Sequence, residues 1–512
     1  MGFPLADRAG VPGRDIERKT GQWHYASARR SARSRPRRNG RATVRILETL
    51  NESLPLPVTA DMGAPARPSL FRRLLGSMAG RHPGIPPRAA VRGARRAITL
   101  CRALLSERGE VSGARLAREA LAAYQGLGEP AVGIFFDLLV KEFSPDPEVV
   151  GRIAEAYRRD PSQTNLIGLQ RAVEPPRQEL FRRLNMAPGG TGILLELRRR
   201  LLKELAERPH YAGIDADLAH LFNSWFNRGF LVLQRIDWRT SALVLEKLIR
   251  YEAVHAIQGW HDLRRRLQAD RRCYAFFHPV LPDEPVIFIE VALTRGMSAR
   301  VQPLLDLDSA VADPASANCA IFYSITNCQE GLRGVSFGNL LIKQVAEDLG
   351  REFPRLKTFA TLSPIPGFRK WLAGMADGRP ALAGLLARLD QPGWLEDKAA
   401  AADMQRQLVR LCAYYLVRGK HGRDPLDPVA RFHLGNGARL EKLNWLGDTS
   451  AIGMRRSAGL MVNYVYRLNE VERNHEAYAK EHRIAASRRF EVLARESLVA
   501  RREGALLQAP HA

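Results

Sequence analysis

The stretch from Asn318 to Trp371 limits what this chain can fold into more than any other. An apolar, β-branched and aromatic run, Cys319-Ala-Ile-Phe-Tyr-Ser-Ile325, is followed by a glycine-punctuated turn, Glu330-Gly-Leu-Arg-Gly-Val-Ser-Phe-Gly338. A helical pattern then runs from Asn339 to Leu349. A second short run, Lys357-Thr-Phe-Ala-Thr-Leu362, ends at Ser363-Pro-Ile-Pro-Gly-Phe368. The order reads as strand, glycine turn, helix, strand and polar elbow. Such a turn brings unpaired backbone N–H groups and a positive helix end to one spot, which suits a pyrophosphate. Ser363 is expected where the second strand finishes, beside that spot.

The text before this stretch is helical from Ala89 to about Gln268. Leu116, Ala120 and Tyr124 fall on one face at i, i+4, i+8 spacing. Similar patterns cover 130–144, 147–158, 176–185, 191–208, 213–230 and 239–258, with Pro130 and Pro147 near helix starts, where a missing N–H costs little. Gly189-Gly-Thr-Gly192 lacks the Gly-Lys-Ser/Thr of a nucleotide loop and reads as a helix-cap loop. At Cys273 the period changes: Cys273–Phe277 and Pro285–Leu293 read as strands joined by the turn Leu281-Pro-Asp-Glu-Pro285. After Ser363 the chain is helical to about Val417, irregular from His421 to Pro428 on the way to Phe432-His-Leu-Gly-Asn-Gly437, strand-like over Met461–Tyr466, and a single charged helix from about Asn469 to Arg502.

Composition excludes several classes. No uncharged apolar run reaches the roughly 18 residues of a membrane span. The five cysteines are scattered and never form a C-x-x-C pair, which argues for a reducing compartment and against a cysteine-rich zinc site. No His, Cys, Asp or Glu set has metal-ligand spacing. The net charge of +24 suggests nucleic acid, but residues 1–100 hold 20 basic and 6 acidic groups, against 58 and 48 in the other 412. The excess sits in a leader where Ser31-Ala-Arg-Ser-Arg-Pro-Arg-Arg38 has almost no apolar content and reads as disordered. Asp7, Asp15 and Glu17 interrupt any transit-peptide pattern there. The expected location is cytoplasmic, or mitochondrial if the leader is such a peptide.

Three places could carry chemistry. The glycine turn, with Arg333 as a cation and Lys343 further along its helix, binds phosphate or is structural. Ser363, held extended by Pro364 and Pro366, is either a reactive hydroxyl or the N-cap of the next helix. His433, in Phe432-His-Leu-Gly-Asn-Gly437, is either a satisfied structural histidine or a functional one; its glycines imply a backbone that must approach something closely. His255 and His261 lie on a helical pattern and read as structural.

Taken together, these residues resemble the malonyl-CoA decarboxylase family. The resemblance runs from about residue 95 to 470. It rests on Leu263-Arg-Arg-Arg266 into Arg271-Arg-Cys-Tyr274, Ala320–Ile325, Gly331-Leu-Arg-Gly-Val335, Glu352-Phe-Pro354, Leu362-Ser-Pro-Ile-Pro-Gly-Phe368 with Lys370-Trp-Leu372, Leu411-Cys-Ala413, Phe432–Gly437 and Asn463-Tyr464. It implies an α+β architecture, an N-terminal all-α helical bundle (86–268) followed by a catalytic domain (269–505) of mixed α/β type similar to the GNAT acyltransferase superfamily, behind the disordered basic tail (1–85) that composition assigns. It places the catalytic serine on Ser363, the catalytic histidine on His433, and the CoA pyrophosphate on Arg333, Gly334, Val335, Ser336, Phe337, Gly338 and Asn339. Supporting polar roles fall on Ser324 and Tyr466. Where animal relatives carry a glutamate in the glycine turn, this chain has Ser336. The implied reaction turns malonyl-CoA into acetyl-CoA and CO2 with no metal or other cofactor, because the thioester itself accepts the charge. His433 would donate the proton to carbon, and Ser363 would hydrogen-bond the malonyl carboxylate or thioester oxygen. A homo-oligomer, dimer or tetramer, is expected, with neither nucleic acid nor membrane as partner. A GNAT-like acyltransferase and a non-catalytic CoA-binding protein are the competing readings.

Overall fold

Apolar spacing accounts for the first half of the chain. The helix Arg88–Ser106 buries Ala94, Ala97, Ile98, Cys101 and Leu104, the stripe expected of an amphipathic helix. Asp146 caps the helix Pro147–Arg159 by accepting the N–H groups of Glu148 and Val149, with Pro147 at the first helical position. Gly189, at φ 73°, is the entry to the helix Gly190–Glu204, so the Gly-Gly-Thr-Gly segment is a cap. The helix Gln163–Val173, which buries no residue, lies within the section expected to be helical, between the patterned segments 147–158 and 176–185. The helical run closes with Ala212–Trp225.

This architecture is seen in a computed structural model, which describes residues 88–335, 337 and 341–497. The tail expected at 1–85, and Ser336, Gly338 and Asn339 of the glycine turn, lie outside the described residues.

The strands are β1 (Val232–Ile236), β2 (Arg271–Phe277), β3 (Pro285–Thr294), β4 (Cys319–Asn327), β5 (Thr358–Thr361), β6 (Ser363–Pro364), β7 (Lys420–His421), β8 (Asp424–Pro425), β9 (Arg439–Asn444) and β10 (Met461–Val465). Among the described residues, β7 and β8 form a separate pair, and the others an eight-stranded sheet ordered β1-β2-β3-β4-β5-β10-β6 with β9 on β10. Every residue of β2 is buried, which is why it reads as a continuous run without alternation. The β4–β5 pair is parallel and is connected through the helix Leu341–Glu352, the strand–turn–helix–strand unit expected from the sequence. The main core joins the helical half to the sheet face carrying Tyr274, Phe276, Ile287 and Ile289; smaller clusters around Leu248 and Phe288, and around Ile321 and Leu362, cover the rest. No helix among the described residues is long and apolar enough to cross a membrane.

Three features differ from the sequence reading. The sheet begins at Val232, ahead of the expected boundary at 269, because β1 is a short edge strand placed between helical segments and registered on β2. The terminal helix is broken in two, Val471–Glu481 and Arg488–Arg495, with His482 in the left-handed region at φ 52° ending the first. Where the irregular stretch ends, at Pro428, a helix absent from the sequence reading runs to Gly435.

The parallel pairing of β4 and β5 lasts only from Cys319/Thr358 to Phe322/Thr361. Beyond it β4 continues to Asn327 along β3, while the other chain turns through Leu362 into β6 and pairs with β10. The Leu362 N–H still reaches the Phe322 carbonyl at 3.0 Å. The sheet therefore opens at this point. A bulge deepens the split, since Glu290 faces Ser324 and Val291 faces Phe322, which leaves Tyr323 without a partner on β3.

Candidate active site

A cavity of about 420 Å³ occupies the split, with Phe322, Tyr323, Ile325 and Asn327 of β4 on one wall and Ser363, Phe432 and His433 on the other. Val335 and Phe337 of the glycine turn also line it. Ser363 does not cap a helix: the next helix starts at Phe368, with Gly367 before it. Instead β6 pairs with Met461 and Val462, and Pro364 and Pro366 carry the chain away, so the hydroxyl faces the cavity wall.

His433 comes from the last turn of the helix Pro428–Gly435. Asp427 starts that helix by accepting the N–H groups of Val429 and Ala430, and its other oxygen accepts from Tyr415 Oη at 3.3 Å. Burial raises the Asp427 carboxyl pKa, against hydrogen bonds that include the Gly367 backbone. One carboxylate thus ties the helix bearing His433 to the elbow bearing Ser363. The imidazole stacks on Tyr464 with ring centres 4.5 Å apart and meets Phe432 edge-on. Gly437, at φ 80°, lies where a Cβ would be 2.1 Å from the Val471 carbonyl; the close approach that its glycine implied is to the protein's own backbone.

Ser363 Oγ and His433 Nε2 are 3.0 Å apart, and His433 Nδ1 lies 2.8 Å from Tyr466 Oη. Three of the residues expected at the site therefore meet in one buried chain of contacts. Burial pushes the His433 pKa down to about 3, so the imidazole is neutral at pH 7, and burial holds the Tyr466 phenol well above its usual range. Ser324 is not part of this chain. Its hydroxyl donates to Glu252 at 2.7 Å, and the same carboxylate accepts from Thr326 and from the N–H groups of Val254 and His255. Glu252 thereby fixes the Val254–His255 loop, where the spacing over 239–258 predicts helix; the helix ends at Tyr251.

Arg333 is exposed and Gly334 has φ 79°. The turn leading to them is held from the helical half of the chain. Arg198, 3 % exposed, donates to the carbonyls of Gly331 at 2.7 Å and Arg333 at 3.0 Å while pairing with Asp215. A Cβ on Gly331 would lie 2.2 Å from the Leu195 carbonyl, so only glycine lets the turn sit this close. Lys343 points to a carboxylate on the protein, with Nζ 2.6 Å from Glu472. Arg431 lines the cavity; among the described residues its guanidinium meets the carbonyls of Pro425 and Leu426 and pairs with no carboxylate.

Sequence reasoning missed Arg198, Glu252, Asp427 and Thr361. Asp427-Pro428 is a helix-start signal that could have been read. Thr361, two residues before Ser363 in an extended run, could have been placed on the same face. Nothing in the sequence links Arg198 to a turn 133 residues away.

Comparison with known proteins agrees with the arrangement. Residues 229–503 match the family model described as the malonyl-CoA decarboxylase C-terminal domain, and 143–226 match its N-terminal domain. Malonyl-CoA decarboxylase, mitochondrial, of Anser anser anser is 36 % identical over 387 residues, covering 68 % of this chain and 77 % of the relative. Crystal structures of malonyl-CoA decarboxylase from Rhodopseudomonas palustris and Agrobacterium vitis are each 50 % identical. Each covers 78 % of this chain and 99 % of its own, with TM-scores of 0.75 and 0.73. An open sheet with a serine and a histidine on its cavity wall, and two family models covering both halves, lead to one conclusion: the chain belongs to the malonyl-CoA decarboxylase family of carboxy-lyases.

Proposed function

We propose that the chain decarboxylates malonyl-CoA to acetyl-CoA and CO2, with the thioester as the sole electron sink and His433 as the proton donor. The observation that carries the reading is the 3.0 Å contact of Ser363 and His433 on the cavity wall. The bond from C2 to the carboxylate breaks, its electron pair delocalises onto the thioester oxygen, and CO2 leaves. His433 then delivers a proton from Nε2 to C2 while Nδ1 takes the phenolic proton of Tyr466; a solvent proton next enters at Nε2 and the Nδ1 hydrogen returns to the Tyr466 oxygen, which restores the starting tautomer. Ser363 holds the imidazole at the place where the malonyl group must lie, so that the reactive conformer and the acid coincide. A mostly apolar wall favours loss of the carboxylate charge. The CoA pyrophosphate sits on the turn containing Arg333, Gly334 and Val335, with Arg431 as a further cation at the same cavity. The protein works without metal or organic cofactor, as a homo-oligomer whose mass light scattering would give.

The test is malonyl-CoA offered to the purified protein with no biotin, ATP or metal. One acetyl-CoA per CO2 supports the reading. Transfer of an intact malonyl group to an added amine, or binding with no turnover, overturns it.

A further inference from the structure

Thr361 has no part in the chemistry above, yet its side chain is bonded directly to it. It is fully buried at the end of β5. Its Oγ1 accepts the Ser363 hydroxyl at 2.8 Å and the Tyr464 N–H at 3.1 Å. Its carbonyl accepts from Asn463 Nδ2 at 2.7 Å, and Asn444 in turn donates to Asn463 Oδ1 at 2.7 Å. Its backbone is thus pinned through a buried pair of amides, and its hydroxyl oxygen by a main-chain donor.

Hydrogen counting gives this position its meaning. A serine hydroxyl has one hydrogen, and a neutral imidazole has one N–H. With the Ser363 hydrogen on Thr361, the hydrogen between Ser363 Oγ and His433 Nε2 belongs to the histidine. Nδ1 is then bare, and the hydrogen between it and Tyr466 Oη belongs to the phenol. If the Thr361 oxygen were missing, the order could reverse. Ser363 would donate to Nε2, Nδ1 would carry the hydrogen toward Tyr466, and the ring nitrogen nearest the cavity would have no proton to give.

We infer that Thr361 is a positioning residue which, by taking the hydroxyl hydrogen of Ser363, holds His433 in its Nε2–H tautomer. The neutral state of the ring supports the count, since a doubly protonated imidazole would need no such choice. The consequence for rate rests on the reading of His433 as the acid; the tautomer itself does not.

The experiment therefore reads both. Two-bond 1H–15N spectra of the histidine-labelled full chain identify His433 by the signals lost in His433→Gln. The wild type should show the Nε2–H pattern, Thr361→Val the Nδ1–H pattern, and Thr361→Ser the wild-type pattern again. Turnover of malonyl-CoA by Thr361→Val should fall about tenfold or more in kcat with little change in KM, and Thr361→Ser should restore it. An Nδ1–H pattern in the wild type overturns the inference with no variant needed, and so does a folded Thr361→Val that keeps the Nε2–H pattern. A tautomer that switches while kcat stays put would instead refute His433 as the acid.

Discussion

Replacing Tyr466 with phenylalanine separates a proton-resupplying phenol from one that merely packs. The Tyr466 oxygen is 2.8 Å from His433 Nδ1, and both side chains are buried, at 1 % and 3 % exposure. No water can take the place of the lost hydroxyl without new space, so Nδ1 loses its partner outright. A buried hydrogen bond of this kind is worth about 1–3 kcal/mol when one side is left unpaired. The bond strengthens as the ring gives up its Nε2 proton, so most of that energy is expected in the transition state. At about 1.4 kcal/mol per factor of ten, kcat should fall roughly 5- to 150-fold. KM should stay nearly constant, because the phenol does not line the cavity. Acetyl-CoA formed under saturating malonyl-CoA, measured by liquid chromatography, gives kcat directly. A folded Tyr466→Phe with wild-type kcat would refute the resupply role, and a rise in KM alone would make the phenol a binding residue.

Arg198→Met should leave kcat near wild type and raise KM by about tenfold, the equivalent of about 1.4 kcal/mol of lost loop ordering, because the Gly331 and Arg333 carbonyls lose their clamp; initial-rate kinetics check this. Gly437→Ala forces a side chain into φ 80° and against the Val471 carbonyl, and should cost about 2–4 kcal/mol in urea unfolding. The pH dependence of stability follows from His433. The unfolded ring takes up a proton near 6.5, and the folded one only near 3, so the unfolded chain binds more protons between these values and stability falls as pH drops. The contribution of this residue is about 2 kcal/mol at pH 5, and urea melts at pH 7 and 5 should show His433→Gln losing less than the wild type. For the same reason kcat should show no inflection near 6.5 attributable to this residue.

The strand–turn–helix–strand unit was legible because each part declares itself locally: apolar runs, a glycine turn and a helical period lie within about fifty residues of one another. Ser363 and His433 were legible through the resemblance, and composition alone left a helix cap and a structural histidine as rivals. What joins them is long-range. The contact between Ser363 and His433 spans 70 residues, and depends on Asp427 holding a helix that the irregular text around His421–Asp427 concealed. Arg198 and Glu252 act across still longer or less patterned separations, so no local period could announce them. β1 was missed because an edge strand of five residues needs only one partner, and its sequence carries no alternation strong enough to interrupt the helical reading. The single terminal helix failed for a smaller reason: one residue in the left-handed region at His482 ends a turn that charge and period alone would have continued.

The most direct measurement is malonyl-CoA turnover by the wild type and by His433→Gln side by side, with the fold of each verified by circular dichroism. The wild type should release CO2 and acetyl-CoA in equal amounts, and the variant should lose about 100-fold or more in kcat. A variant that turns over malonyl-CoA at close to the wild-type rate would contradict the account, because the proton would then reach carbon from somewhere other than the imidazole beside Ser363.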